Sequence, residues 1–126
     1  MARFLGKHAT FECAALMPGL LYDLGQYPGA VYQPSASTFV KGQVWRMQEP
    51  DLLWPLLHAY EAYDPARPEH SEYRCALIDL FAEGPVERTW TYLYQGSTEG
   101  LSLIPDGDYL RYVEDNDTHQ RFIQNE

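Results

Sequence analysis

Glu61 is the residue whose type and spacing most invite chemistry. Leu53, Leu57 and Glu61 recur every four residues, so on a helix they share one stripe. A carboxylate thus continues a line of core-facing leucines. It is followed by Ala62-Tyr63-Asp64-Pro65, where a helix must stop. Burial and the negative pole of the helix both disfavour an ionised acid at such a place. Those are the conditions wanted in a general base that must also return a proton. The plainer alternative, a helix-end glutamate turned to solvent, stays open on spacing alone.

A second candidate set is tyrosine-rich. Tyr22, Tyr27, Tyr60, Tyr63, Tyr73, Tyr92 and Tyr94 could line a polar pocket with hydroxyl donors. Each could equally pack its ring in the core with the hydroxyl at the rim. Other chemistries find little support. Asp115 to Glu126 resembles a calcium loop only faintly, with Gln120 where glycine is required. His70 sits in a charged, proline-flanked loop without a helical partner for metal binding. Ser35 and Ser37 lack a nucleophile-elbow context. Cys13 and Cys75 lie in apolar, strand-like surroundings and read as buried and inert. No glycine-rich phosphate loop or dinucleotide fingerprint occurs, so no cofactor is expected.

The elements that must position these groups can be read coarsely. Residues 2 to 9 suggest a short helix. Ala14 to Leu24 is an apolar stretch interrupted by Pro18-Gly19, which we place at a bulge or edge between two strand pieces. Residues 25 to 29 form a turn, Ala30 to Tyr32 a short strand, and Thr38 to Met47 a longer one. The clearest helix spans residues 51 to 61, with Leu52, Leu53, Leu56, Leu57 and Tyr60 at helical spacing. Asp51 is its expected N-cap, and Pro55 should delay or bend it. Tyr73 to Phe81 and Val86 to Tyr94 read as strands joined by a hairpin turn. Leu101 to Ile104 is a short apolar run, Tyr109 to Val113 a last helical turn or strand, and residues 114 to 126 a polar tail. Helices and strands do not alternate regularly. The expected class is therefore α+β with a mixed or antiparallel sheet, small enough to close into a barrel.

Composition narrows the field further. A chain of 126 residues with 45% hydrophobic content has room for one domain, residues 1–126. Nine Lys plus Arg face 18 Asp plus Glu, a net charge of −9, and the basic residues are scattered. Nucleic acid is not an expected partner of such a chain. No apolar run approaches the roughly 18 residues of a membrane span, and no secretory signal opens the chain. Two distant cysteines make no disulfide framework, which points to a reducing cytoplasm.

Five segments, in order, resemble the gamma-glutamylcyclotransferase-like family. They are Gly19-Leu20-Leu21-Tyr22-Asp23-Leu24-Gly25-Gln26-Tyr27-Pro28-Gly29, Val40-Lys41-Gly42-Gln43-Val44-Trp45, and Leu57-His58-Ala59-Tyr60-Glu61-Ala62-Tyr63-Asp64-Pro65. The last two are Glu72-Tyr73-Arg74 and Thr89-Trp90-Thr91-Tyr92-Leu93-Tyr94. The resemblance implies a small mixed β-barrel with flanking helices, no cofactor, and cleavage of gamma-glutamyl amides by cyclisation to 5-oxoproline and a free amine. It places the family's proton-transfer glutamate at Glu61. Position on the matched segments makes Tyr27, Pro28 and Gly29 candidates for a pocket wall, with Tyr73 and Tyr94 as hydroxyl donors.

The sequence departs from the family at one point. The hallmark Tyr-Gly-Ser/Thr-Leu motif, whose backbone forms the glutamyl pocket, is absent, because no Tyr-Gly dipeptide occurs. The chain starts in what resembles the helix after that motif. Either the motif lies upstream in the natural protein, which is the expectation, or the chain is a variant without it. A fold lacking its first strand would leave edges open to self-association. The expected ligand is a small gamma-glutamyl compound. The alternative to an enzyme is a non-catalytic binding or interaction module on the same fold.

Overall fold

The computed structural model describes residues 8–61, 63–82 and 88–114. Its central element is β1 (Ala9–Asp23), 15 residues long. Burial alternates strictly from Cys13 to Met17, the period-two pattern of a sheet with one face on the core. Pro18-Gly19 does not break this strand into two pieces as expected. It marks instead where the strand changes neighbours. Ala9–Pro18 pairs antiparallel with β3 (Phe39–Met47), and Gly19–Asp23 pairs antiparallel with β2 (Pro28–Tyr32). The irregularity in register falls earlier, between Phe11 and Cys13.

Two short strands complete this five-stranded sheet, β5 (Phe81–Ala82) against Ala15-Leu16 and β7 (Ser102–Leu103) against Tyr22-Asp23. A separate antiparallel pair joins β4 (Tyr73–Asp79) to β6 (Arg88–Tyr94). The expected α+β class is what the chain adopts. A closed barrel is not formed among the described residues, because β4–β6 makes no ladder with the larger sheet. The expected strand through Phe81 is also divided. β4 ends at Asp79, and Phe81-Ala82 turns to pair with β1 instead.

The two sheets meet face to face through Met17, Ile78 and Leu93. Leu93 is fully buried, and removing a leucine side chain from water contributes about 1.5–3 kcal/mol. Helix α1 (Pro50–Tyr60) covers the end of this core. Leu53 and Leu57 pack with Ala9, flanked by Trp45, Met47, Trp54 and Tyr92. Leu52, Leu56 and Tyr60, expected on the same face, are about half exposed. They form the neighbouring stripe, rotated about 100° from Leu53 and Leu57, and only one stripe reaches the sheets.

The helix start also differs from expectation. Glu49 is the N-cap residue, without a side-chain cap bond, and Pro50 occupies the first turn. Asp51 therefore lies inside the first turn, where it still faces the favourable pole. Pro55 is accommodated within the helix. Helix α2 (Tyr109–Val113) resolves the last ambiguous segment, capped by the Asp108 carboxylate on the Arg111 N–H. No helix among the described residues is long and apolar enough to cross a membrane. The expected helix at residues 2 to 9, apart from its last two residues, and the polar tail beyond Glu114 lie outside the described residues.

Candidate active site

Glu61 caps the C-terminus of α1, its backbone N–H donating to the Leu57 carbonyl at 2.9 Å. The next stripe position after Leu53 and Leu57 is thus held at the helix end, half-buried rather than turned fully to solvent. It lines a cavity of about 360 Å³ between α1, β1, β3 and β6. Leu57, Trp54, Trp90 and Trp45 give that cavity apolar walls, while Gln43, Thr91 and Tyr92 add polar atoms. Among the described residues no lysine, arginine or histidine lines it, and Glu61 is its one charged group. Burial raises the pKa of Tyr92 and of Tyr73, and the negative charge of Glu61 adds to both shifts. Burial is the larger cause in each case.

The other expected site residues gather in a second cluster. The ring of Tyr73 lies 6.4 Å from that of Tyr27 and 6.1 Å from that of Tyr94. Tyr73 donates its hydroxyl proton to the Pro28 carbonyl at 2.8 Å. Tyr94 donates to the Ser97 carbonyl at 3.2 Å. Tyr27 donates to the Glu72 carboxylate, 2.9 and 3.0 Å from its two oxygens, and its pKa is raised by burial first and by Glu72 next. A Cβ on Gly29 would sit 3.0 Å from the Tyr94 Cβ, so glycine allows this close approach.

Tyr27, Pro28, Gly29, Tyr73 and Tyr94 are therefore neighbours, as a pocket wall requires, but they do not line the Glu61 cavity itself. The hydroxyl protons of Tyr73 and Tyr94 are engaged by backbone carbonyls. Tyr73→Phe should cost about 1–2 kcal/mol in urea unfolding, since the half-buried Pro28 carbonyl loses its donor. Unchanged stability would show that bond to be without net value.

Sequence reading missed His58, whose Nδ1 lies 2.6 Å from the Tyr92 hydroxyl. The signal was available: His58 precedes Glu61 by three residues, one helical turn. A larger cavity of about 520 Å³ shares no lining residue with this one. Along the stretch of β1 paired with β3, Leu16 lines it whereas Ala15 and Met17 line the Glu61 cavity, so there the two lie on opposite faces of the sheet. Lys41, the one cation lining it among the described residues, is paired with Asp108 at 3.4 Å. Cys13 and Cys75 are both free thiols, the first buried and the second half-buried. Among the described residues no group of three or more His, Cys, Asp or Glu could hold a metal ion.

Comparison with known proteins decides the family. Residues 1–111 match the family model for "Gamma-glutamyl cyclotransferase, AIG2-like". The chain belongs to this family. The gamma-glutamylcyclotransferase family protein YtfP of Escherichia coli K12 is 38% identical over 90 residues, 71% of this chain and 66% of YtfP. A putative gamma-glutamylcyclotransferase of Vibrio cholerae serotype O1 is 33% identical over 93 residues, covering 74% of this chain and 68% of that protein. The solution NMR structure of ytfP from Escherichia coli is similar at a TM-score of 0.59 and 32% identity, over 84% of this chain and 81% of that one. The chain thus spans just under two-thirds of the YtfP length it matches. Membership in the gamma-glutamylcyclotransferase family accounts for the antiparallel α+β architecture and for the order of the five matching segments.

Proposed function

We propose that this chain releases 5-oxoproline and a free amine from gamma-glutamyl amides by intramolecular cyclisation, with Glu61 transferring the protons. The observation that carries the reading is the place of Glu61: among the described residues the single charged group of a largely apolar cavity, at the end of a helix whose Leu53 and Leu57 are buried. The substrate supplies its own nucleophile. Its α-amine, once Glu61 has taken a proton from the ammonium, attacks its own γ-carbonyl carbon. A new C–N bond closes the five-membered ring, and the carbonyl oxygen becomes an oxyanion. The old amide C–N bond then breaks, Glu61 returns its proton to the departing nitrogen, and the ring nitrogen gives up its second proton as it becomes an amide, so that the released amine leaves as an ammonium. No water is consumed and no enzyme nucleophile is required.

Holding the glutamyl chain folded supplies much of the rate, because well-oriented intramolecular attack reaches effective molarities of about 10⁵–10⁸ M. Apolar walls around Glu61 strengthen each electrostatic contact with the developing charges. Two free cysteines fit the cytoplasmic setting that this reading includes.

The test is incubation of the chain with gamma-glutamyl amines and gamma-glutamyl dipeptides, followed by chromatographic detection of 5-oxoproline. Release of 5-oxoproline together with the free amine is expected for at least one class. Saturable binding without turnover would make the protein a binding module instead.

A further inference from the structure

His58 and Tyr92 meet beside Glu61 in an arrangement the proton transfer above does not use. The imidazole is fixed on three sides. It stacks on Trp54 with ring centroids 5.4 Å apart, and meets the edges of Tyr63 at 5.0 Å and Tyr92 at 5.7 Å. Its Nδ1 lies 2.6 Å from the Tyr92 oxygen. Tyr92 comes from β6 and lines the same cavity as Glu61. Burial lowers the pKa of His58 and raises that of Tyr92, so at neutral pH a neutral imidazole faces a neutral phenol. One proton lies between them, and its owner decides what Tyr92 offers the cavity.

We propose that His58 is a positioning residue whose unprotonated Nδ1 accepts the Tyr92 hydroxyl proton, so that Tyr92 presents an accepting oxygen, not an O–H, to the N–H groups of the substrate beside Glu61. This rests on the cyclotransferase reading and deepens it. A substrate α-ammonium carries three N–H groups. Glu61 removes one proton, and the Tyr92 oxygen accepts another N–H and aims the nitrogen lone pair. The opposite orientation would release the phenol proton for donation to other acceptors of the cavity that Tyr92 shares with Glu61, the carboxylate among them. A donated hydrogen bond there stabilises the ionised carboxylate and weakens it as a base. Engaging that proton at His58 keeps the base strong.

The first arm of the test is ¹⁵N NMR of the histidine side chains in the full chain at neutral pH. His58 should show an unprotonated, hydrogen-bonded Nδ1 and a protonated Nε2, and Tyr92→Phe should shift these signals. A protonated Nδ1 would overturn the proposal. The second arm is a double-mutant cycle in kcat/KM on whichever gamma-glutamyl compound turns over. His58→Phe should lose about tenfold in the wild-type background and almost nothing in Tyr92→Phe. His58→Asn, which keeps an acceptor near the Nδ1 position, should recover most of the loss and serves if the phenylalanine variant folds poorly. Losses that multiply independently would show that His58 does not act through Tyr92. A wild-type chain without any turnover would sink the cyclotransferase reading instead, and the tautomer would still decide whether His58 holds Tyr92 as proposed.

Discussion

Glu61→Gln is expected to reduce 5-oxoproline release by about 10²–10⁴-fold, the usual contribution of a positioned general acid–base group. The amide has the same shape as the carboxylate and can still hydrogen-bond, so the substitution removes proton transfer while leaving the cavity filled. Stability should move in the opposite direction. Glu61 sits at the C-terminal end of α1, and losing a negative charge there is favourable by about 0.3–1 kcal/mol. Far-UV circular dichroism should stay native, with a thermal midpoint equal to or above the wild type. The divergence between activity and stability separates a chemical role from a structural one. Full activity in Glu61→Gln would remove the carboxylate from the mechanism, whatever the family.

Gly19→Ala should destabilise the protein by about 3 kcal/mol, lowering the thermal midpoint by on the order of 10 °C. Gly19 has φ +152°, and a Cβ built there would lie 2.0 Å from the Val31 carbonyl oxygen. The obstacle is backbone of the neighbouring strand and cannot rotate away. At this point β1 leaves β3 and takes up β2, with the Gly19 N–H donating to the Thr38 carbonyl and its own carbonyl accepting from the Thr38 hydroxyl. A side chain would push apart the strands it joins. Gly42 is the natural control. It lies on β3 with nothing within 4 Å of a built Cβ. Gly42→Ala should change stability little, and equal losses at both positions would refute the argument from close approach.

Local chemistry wrote much of this architecture into the sequence. Leu53, Leu57 and Glu61 stand on one helical stripe because their spacing leaves no other arrangement once residues 50–60 are helical. The strand through Thr38 to Met47, the helix, expected at residues 51–61, and the α+β class were equally legible. Period and turn chemistry are properties of neighbouring residues. The five family segments were readable for the same reason, being short contiguous patterns.

Other features required the tertiary structure. Leu52, Leu56 and Tyr60 are as apolar as Leu53 and Leu57, and only the position of the sheets decides which stripe is covered. Asp51 looked like an N-cap, but Pro50 occupies the first turn and the cap falls two residues earlier, at Glu49. The continuity of β1 through Pro18-Gly19 depends on two different partner strands, the adjacent β2 and the more distant β3. His58 and Tyr92 are 34 residues apart, and their hydrogen bond exists only because β6 passes the last turn of α1. The sequence by itself determined which residues share a face of each element, since side-chain direction follows from the local backbone. Only the folded chain decided which of those faces meet around Glu61, because long-range pairing is set by the packing of whole sheets.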